Sequence, residues 1–134
     1  MTRRSRAREV TLQLLYEADL NEDQDRETTD AFLRARLTSP EMMEFSRSLF
    51  EGVRRNRAEL DAILVAYAEN WSLSRMAATD RNILRLGTYE IVFADTPGRV
   101  AINEAVELAK RFGGRQSPQF VNGILDRVLA EHRK

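Results

Sequence analysis

The chain has 134 residues, 43 % hydrophobic and 31 % charged, and its 21 basic and 21 acidic side chains cancel to zero formal net charge. That balance describes one globular domain long enough to bury a core and argues against a disordered polyelectrolyte. There is no cysteine, hence no disulfide framework, thiolate nucleophile or thiolate zinc site. No apolar run nears the roughly 18 residues that span a bilayer, and the start lacks the apolar core of a secretory leader, so the expected location is cytoplasmic.

In chain order, Arg3, Arg4, Arg6 and Arg8 come first. A helix N-terminus is the positive end of the backbone dipole, so cations clustered there oppose local stability. Either the cluster is a solvated tail or it binds an anion. Residues 7–20 follow as an amphipathic helix with two apolar stripes. Ala7, Val10, Leu14 and Ala18, with Leu15, form one. Leu12, Tyr16 and Leu20, nearly opposite, form the other and need a covering helix or a partner. Residues 19–30 carry six acids against Arg26 alone and read as a solvated acidic linker.

Helical spacing resumes at Ser39-Pro40, read as an N-cap followed by proline at the first helical position. Met42, Phe45, Leu49 and Val53 share a face; polar residues 54–56 suggest a break before Leu60, Ile63, Leu64 and Tyr67. Residues 80–94 are apolar on most sides, with Arg81, Arg85 and Thr88 as a polar strip, which predicts a central helix covered by others. After a turn at residues 95–98, residues 101–112 place Ile102, Ala105, Val106, Ala109 and Phe112 on one face. Glu107 precedes Arg111 by four residues, the favourable order for a helix ion pair. Gly113-Gly114 ends this helix. A last helix is expected from Ser117, capped by that serine, with Phe120, Val121, Ile124, Leu125 and Val128 buried. Gly123 in its middle costs about 1 kcal/mol against alanine, which close approach of another backbone would offset. About seven helices and no strand are expected.

Catalytic constellations do not emerge. His132 stands alone near the end, no HExxH or acidic calcium loop occurs, Gly113-Gly114 is not followed by Lys-Ser/Thr, and there is no GxSxG turn. The sequence therefore predicts neither enzyme activity, nor metal, nor cofactor. Arginine beside an aromatic is instead a recipe for single-stranded nucleic acid: the guanidinium forks hold phosphates and Tyr16 offers a ring for stacking or for an interface.

Val100-Ala101-Ile102-Asn103-Glu104-Ala105-Val106-Glu107-Leu108-Ala109-Lys110, then Phe112-Gly113, then Phe120-Val121-Asn122-Gly123-Ile124-Leu125-Asp126, closely resembles the C-terminal signature of the NusB family of transcription antitermination factors. Asp80-Arg81-Asn82-Ile83-Leu84-Arg85 with Tyr89-Glu90 is similar to the family's central helix, and Arg3 to Glu9 with Leu15-Tyr16 to its basic start. The resemblance covers nearly the whole chain in order; residues 21–75 match mainly in pattern. It implies an all-α fold of two packed helical bundles, here a single domain over 1–134 with sub-bundles at roughly 1–70 and 71–134. It implies a non-enzymatic role: binding boxA-type RNA of nascent ribosomal RNA transcripts together with ribosomal protein NusE, and joining an RNA polymerase elongation complex with other Nus factors. By the same resemblance Arg3, Arg4, Arg6, Arg8, Tyr16, Gln116 and Phe120 lie at the RNA side, and Tyr16, Asp80 and Phe120 at the partner side. Ser5 interrupts a run that is often all basic, and Gln116 stands where relatives often have an acid.

Two alternatives remain at this level. The domain type also resembles the N-terminal part of certain ribosomal RNA cytosine methyltransferases, although this chain has no cysteine nucleophile. The second stripe of the first helix could instead serve an interaction module that self-associates as a homodimer. If about four arginines neutralise phosphates on single-stranded RNA, log affinity should fall against log salt with a slope near −3.

Overall fold

The computed structural model describes residues 2–22, 24–68 and 72–133. Among them are seven α-helices: α1 (Arg3–Leu20), α2 (Arg26–Arg36), α3 (Pro40–Arg55), α4 (Arg57–Tyr67), α5 (Ala78–Val92), α6 (Gly98–Phe112) and α7 (Ser117–His132). A 3-10 turn spans Leu73–Arg75, and the described residues contain no strand.

Local chemistry sets the boundaries. Thr2 caps α1, its hydroxyl oxygen accepting the Ser5 N–H at 3.0 Å; this satisfies one orphan donor in a first turn that holds no acid to oppose its arginines. Ser39 caps α3 ahead of Pro40, as the dipeptide predicts. Asn56 makes the expected break: its side-chain amide donates to the Gly52 carbonyl at 2.8 Å, ending α3 one residue before α4 begins. At α7 the serine acts differently. Ser117 is the first helical residue, not the cap. Its hydroxyl accepts the Gly114 N–H at 2.9 Å, so it ties the preceding turn rather than the helix start.

The acidic stretch is only in part a solvated linker: Glu22, Asp25 and Glu27 are exposed, but Asp19 and Asp30 at its ends are not. α1 runs to Leu20 and Asp25 caps α2, leaving a short connection, in which Asp23 lies outside the described residues. Asp19 accepts from Asn82 at 2.9 Å and faces Arg81 at 3.7 Å, while Asp30 pairs with Arg47 at 2.8 Å. These carboxylates join helices because each meets a basic or amide group on the helix opposite.

Helix α5 is central. It packs against α1, α3, α4, α6 and α7, and one contiguous core runs from Ala7 and Val10 in α1 to Leu125 and Val128 in α7. The expected polar strip on α5 does not face water: Arg85 is 4 % exposed and Thr88 is fully buried. Arg85 is bidentate to Asp61 of α4, at 2.7 and 3.0 Å, the planar fork matching the carboxylate. Gly87 lets α5 approach α7, since a Cβ there would fall 2.6 Å from a methyl of Leu125. Gly123 has no such role. It is exposed and a Cβ there would meet nothing within 4 Å, so close backbone approach within the chain does not explain it.

Candidate nucleic-acid interface

The four N-terminal arginines do not form one tail; α1 distributes them. Arg3 and Arg4 are exposed on the side of α3. Arg3 donates to the Ser39 hydroxyl at 2.7 Å, and the Arg4 guanidinium lies 4.7 Å from the centre of the Phe45 ring. They border a cleft of about 710 Å³ between α1, α3 and the α5–α6 connection. Arg6 pairs along its own helix with Glu9, its side chain 43 % exposed.

Arg8 departs from the expectation of a phosphate ligand. It is 3 % exposed. Its Nε donates to Glu90 Oε2 at 2.9 Å, its Nη2 to Oε1 at 2.8 Å, and its Nη1 faces Glu104 at 3.5 Å. Every guanidinium nitrogen is directed at a carboxylate, leaving no fork to offer. Arg8 lies one turn beyond Arg4 on the same side of α1, both guanidinium groups flanking the Phe45 ring; what buries it is the presence of Glu90 of α5 and Glu104 of α6 at that turn. Glu90 is completed by the Thr96 hydroxyl at 2.8 Å. Arg8 thus ties the first turns of α1 to the helices behind them.

Along the α1–α6 seam the ion pairs also differ from expectation. Glu107 pairs with Lys110 at 3.2 Å, while Arg111 reaches across to Glu9 of α1. Glu9 is 4 % exposed and holds Arg6 as well, at 3.3 Å. Farther along, the second stripe of α1 divides. Leu12 is buried, but Tyr16 is 45 % exposed and Leu20 is 70 % exposed. Phe112, assigned by periodicity to the core face of α6, is 41 % exposed. It is the last residue of its helix, so no following turn covers it. Tyr16 and Phe112 line one cleft of about 290 Å³ with Leu12, Gln13 and the start of α5.

The remaining candidates meet at the helix ends beyond that cleft. Asp80, Gln116 and Phe120 line a cleft of about 640 Å³ where the N-termini of α5 and α7 converge, flanked by Arg75 and Arg115. The candidates thus fall in separate places: Tyr16 in one cleft with Phe112, Asp80, Gln116 and Phe120 in a second with Arg75 and Arg115, and Arg3 and Arg4 at a third. Arg75, Arg115, the exposure of Phe112 and the reach of Arg111 to Glu9 have no signal in the sequence. Single-helix periodicity registers neither a cross-helix ion pair nor the exposure of a helix-terminal aromatic.

Residues 5–130 match the model of the NusB family. The chain belongs to the NusB family. The transcription antitermination protein NusB of Trichlorobacter lovleyi is 44 % identical over 128 residues, covering 95 % of this chain and 90 % of the relative. That of Myxococcus xanthus is 42 % identical over 139 residues, covering 100 % and 99 %. In three dimensions the chain is similar to T. maritima NusB, with a TM-score of 0.86, 37 % identity, and coverage of 100 % of this chain and 94 % of that one. It is also similar to a chain in the crystal structure of the antitermination factors NusB and NusE in complex with dsRNA, with a TM-score of 0.85, 27 % identity and 98 % coverage of each. The NusB fold thus accounts for the chain from end to end, and the clefts described above are surfaces of a NusB-type domain.

Proposed function

We propose that this NusB-family protein is a non-enzymatic, cytoplasmic RNA-binding antitermination factor. In this reading it binds boxA-type RNA of nascent ribosomal RNA transcripts together with ribosomal protein NusE and joins the RNA polymerase elongation complex with other Nus factors. The observation that carries the reading is the juxtaposition, on a NusB fold, of exposed arginines with half-exposed aromatic rings. Arg3, Arg4 and Arg6 surround the first turn of α1, and Tyr16, Phe112 and Phe120 line the clefts beyond it. Phosphate contacts supply affinity and position, while rings and polar edges such as Gln116 and Asp80 supply the base and partner contacts. The resemblance of the domain to the NusB chain of a NusB–NusE–dsRNA complex supports the same assignment. No helix among the described residues is long and apolar enough to cross a membrane.

With Arg8 committed to Glu90, three N-terminal arginines are available to phosphate. Their share of the salt slope on single-stranded RNA is about −2 rather than −3, at roughly 0.7 per contact. The test is a salt titration of binding to boxA-type RNA, with and without NusE, for the wild type and for the triple variant Arg3→Ala, Arg4→Ala, Arg6→Ala. The triple variant should stay folded and flatten the slope by about 2. An unchanged slope would remove these arginines from the RNA contact, and equal affinity for scrambled RNA would remove the sequence-selective reading.

A further inference from the structure

Two arginines carried by connections rather than by helices come to one cleft with their charge unclaimed. Arg75 ends the 3-10 turn ahead of α5, and Arg115 lies in the turn between α6 and α7. Both are exposed and both line the cleft of about 640 Å³; neither guanidinium makes a hydrogen bond or ion pair among the described residues. Arg8, Arg47 and Arg85, by contrast, are each held by a carboxylate. The backbone beneath the two is fixed. The Arg75 N–H donates to the Ser72 carbonyl at 3.0 Å, and Arg81 Nη1 donates to the Leu73 carbonyl at 3.2 Å. On the other side Ser117 closes the turn: its hydroxyl accepts the Gly114 N–H at 2.9 Å, and its own N–H donates to the Gly114 carbonyl at 3.1 Å. Asp80 is the one acid that lines this cleft, so the two arginines leave it with a surplus of positive charge. The first turn of α7 adds no acid to offset it.

We infer that Arg75 and Arg115 bind the phosphate backbone of single-stranded RNA at the cleft between the starts of α5 and α7. This rests on the RNA-binding reading above and adds two contacts to it. The planar guanidinium fork matches phosphate oxygens, and a concave site with surplus positive charge draws a polyanion toward it. Because both turns are already closed by hydrogen bonds, only the two side chains remain to be ordered when the ligand arrives. The size of the cleft suits a nucleotide better than a bare ion, since ligand sites run to roughly 300–1,000 Å³. Gln116 and Gln119 line it too and offer amide donors and acceptors to a base edge. Arg3 and Arg4 border a different cleft, so the two sets of arginines engage different phosphates of the strand. The competing occupant is an acidic face of a protein partner, and the experiment separates the two.

The experiment is a salt titration of a short single-stranded boxA-type RNA against the full chain, with NusE binding measured alongside. The pair Arg75→Ala, Arg115→Ala should lower the slope by about 1.4, roughly 0.7 per contact, and weaken RNA binding about fifteenfold at 0.15 M salt. Arg75→Lys with Arg115→Lys keeps the charge and should keep the slope. Arg34→Ala with Arg55→Ala removes the same charge from exposed positions on α2 and α3 that do not line the cleft, and should leave the slope unchanged. Equal slope losses in the two alanine pairs would reduce the effect to general charge and overturn the inference. So would an unchanged slope in Arg75→Ala, Arg115→Ala while the triple variant at Arg3, Arg4 and Arg6 flattens it, a result that leaves the RNA-binding reading standing. An unchanged RNA slope together with weaker NusE binding would assign the cleft to the protein instead. If the wild type binds boxA-type and scrambled RNA equally, the sequence-selective reading fails, and the slope comparison still decides the two arginines. Should the alanine pair melt early, Arg75→Gln with Arg115→Gln removes the charge while keeping a polar side chain, and must show the same slope loss.

Discussion

Arg8 separates structural from ligand-binding arginine in a way that can be measured. Replacing Arg8 by alanine leaves Glu90, itself 1 % exposed, with the Thr96 hydroxyl as the donor that remains. Removing one partner of a buried ion pair typically costs about 3–5 kcal/mol, because the surviving charge stays desolvated. For a chain of this length, an unfolding entropy of about 2.1 cal/mol/K per residue converts that loss into a fall in Tm of about 11–18 °C. Thermal melts at pH 7 by circular dichroism, with calorimetry to check two-state behaviour, read this directly. Arg8→Met combined with Glu90→Leu fills similar volume without charge and should recover most of the loss, since apolar replacement of a whole buried pair is often close to neutral. That double variant should also bind boxA-type RNA with the wild-type salt slope. A fall in Tm below about 3 °C for Arg8→Ala would refute the reasoning on stability. A slope loss of about 0.7 in the stable double variant would return Arg8 to the phosphate ligands.

Three further outcomes follow from the packing. Gly123→Ala adds a methyl group where nothing lies within 4 Å; it should stabilise the free protein by up to about 1 kcal/mol in chemical denaturation, and weaker NusE or RNA binding in the same variant would show that a partner approaches α7 there. Gly52→Ala, by contrast, drives a Cβ into the Tyr89 ring where α3 meets α5, and denaturant melts should show a loss of about 1–3 kcal/mol. Asp25 caps α2, and the N–H of Thr28 bonded to its carboxylate holds its pKa below the usual value. A lowered folded-state pKa gives stability that is present above the unfolded value and lost as pH falls through the folded one. Amide exchange in the first turn of α2 should therefore accelerate below about pH 4 in the wild type, and Asp25→Asn, which keeps a capping oxygen, should remove most of that pH dependence.

How far the sequence reaches is clearest in α1 itself. Its core stripe, Ala7, Val10, Leu14, Leu15 and Ala18, is legible because burial repeats with the period of one helix, and all five are buried. The same holds for the break at Asn56 and the cap at Ser39, where the information lies within four residues. What periodicity cannot supply is the charge on the helix opposite. Arg8 follows three exposed or half-exposed arginines and looks like them in sequence; its fate is set by Glu90, 82 positions away. Arg111 has a textually correct partner in Glu107 and takes Glu9 instead, because a buried carboxylate across the seam is less solvated than one on the exposed side of its own helix. Asp19 and Asp30 look like linker residues until α5 and α3 supply Arg81 and Arg47. In each case a polar residue is assigned to water by local sequence and recruited into an interface by a distant one. An arginine-rich NusB-family chain therefore cannot have its RNA contacts counted from its basic residues. The count must be taken after buried carboxylates have claimed theirs, and Glu90 and Glu104 claim Arg8.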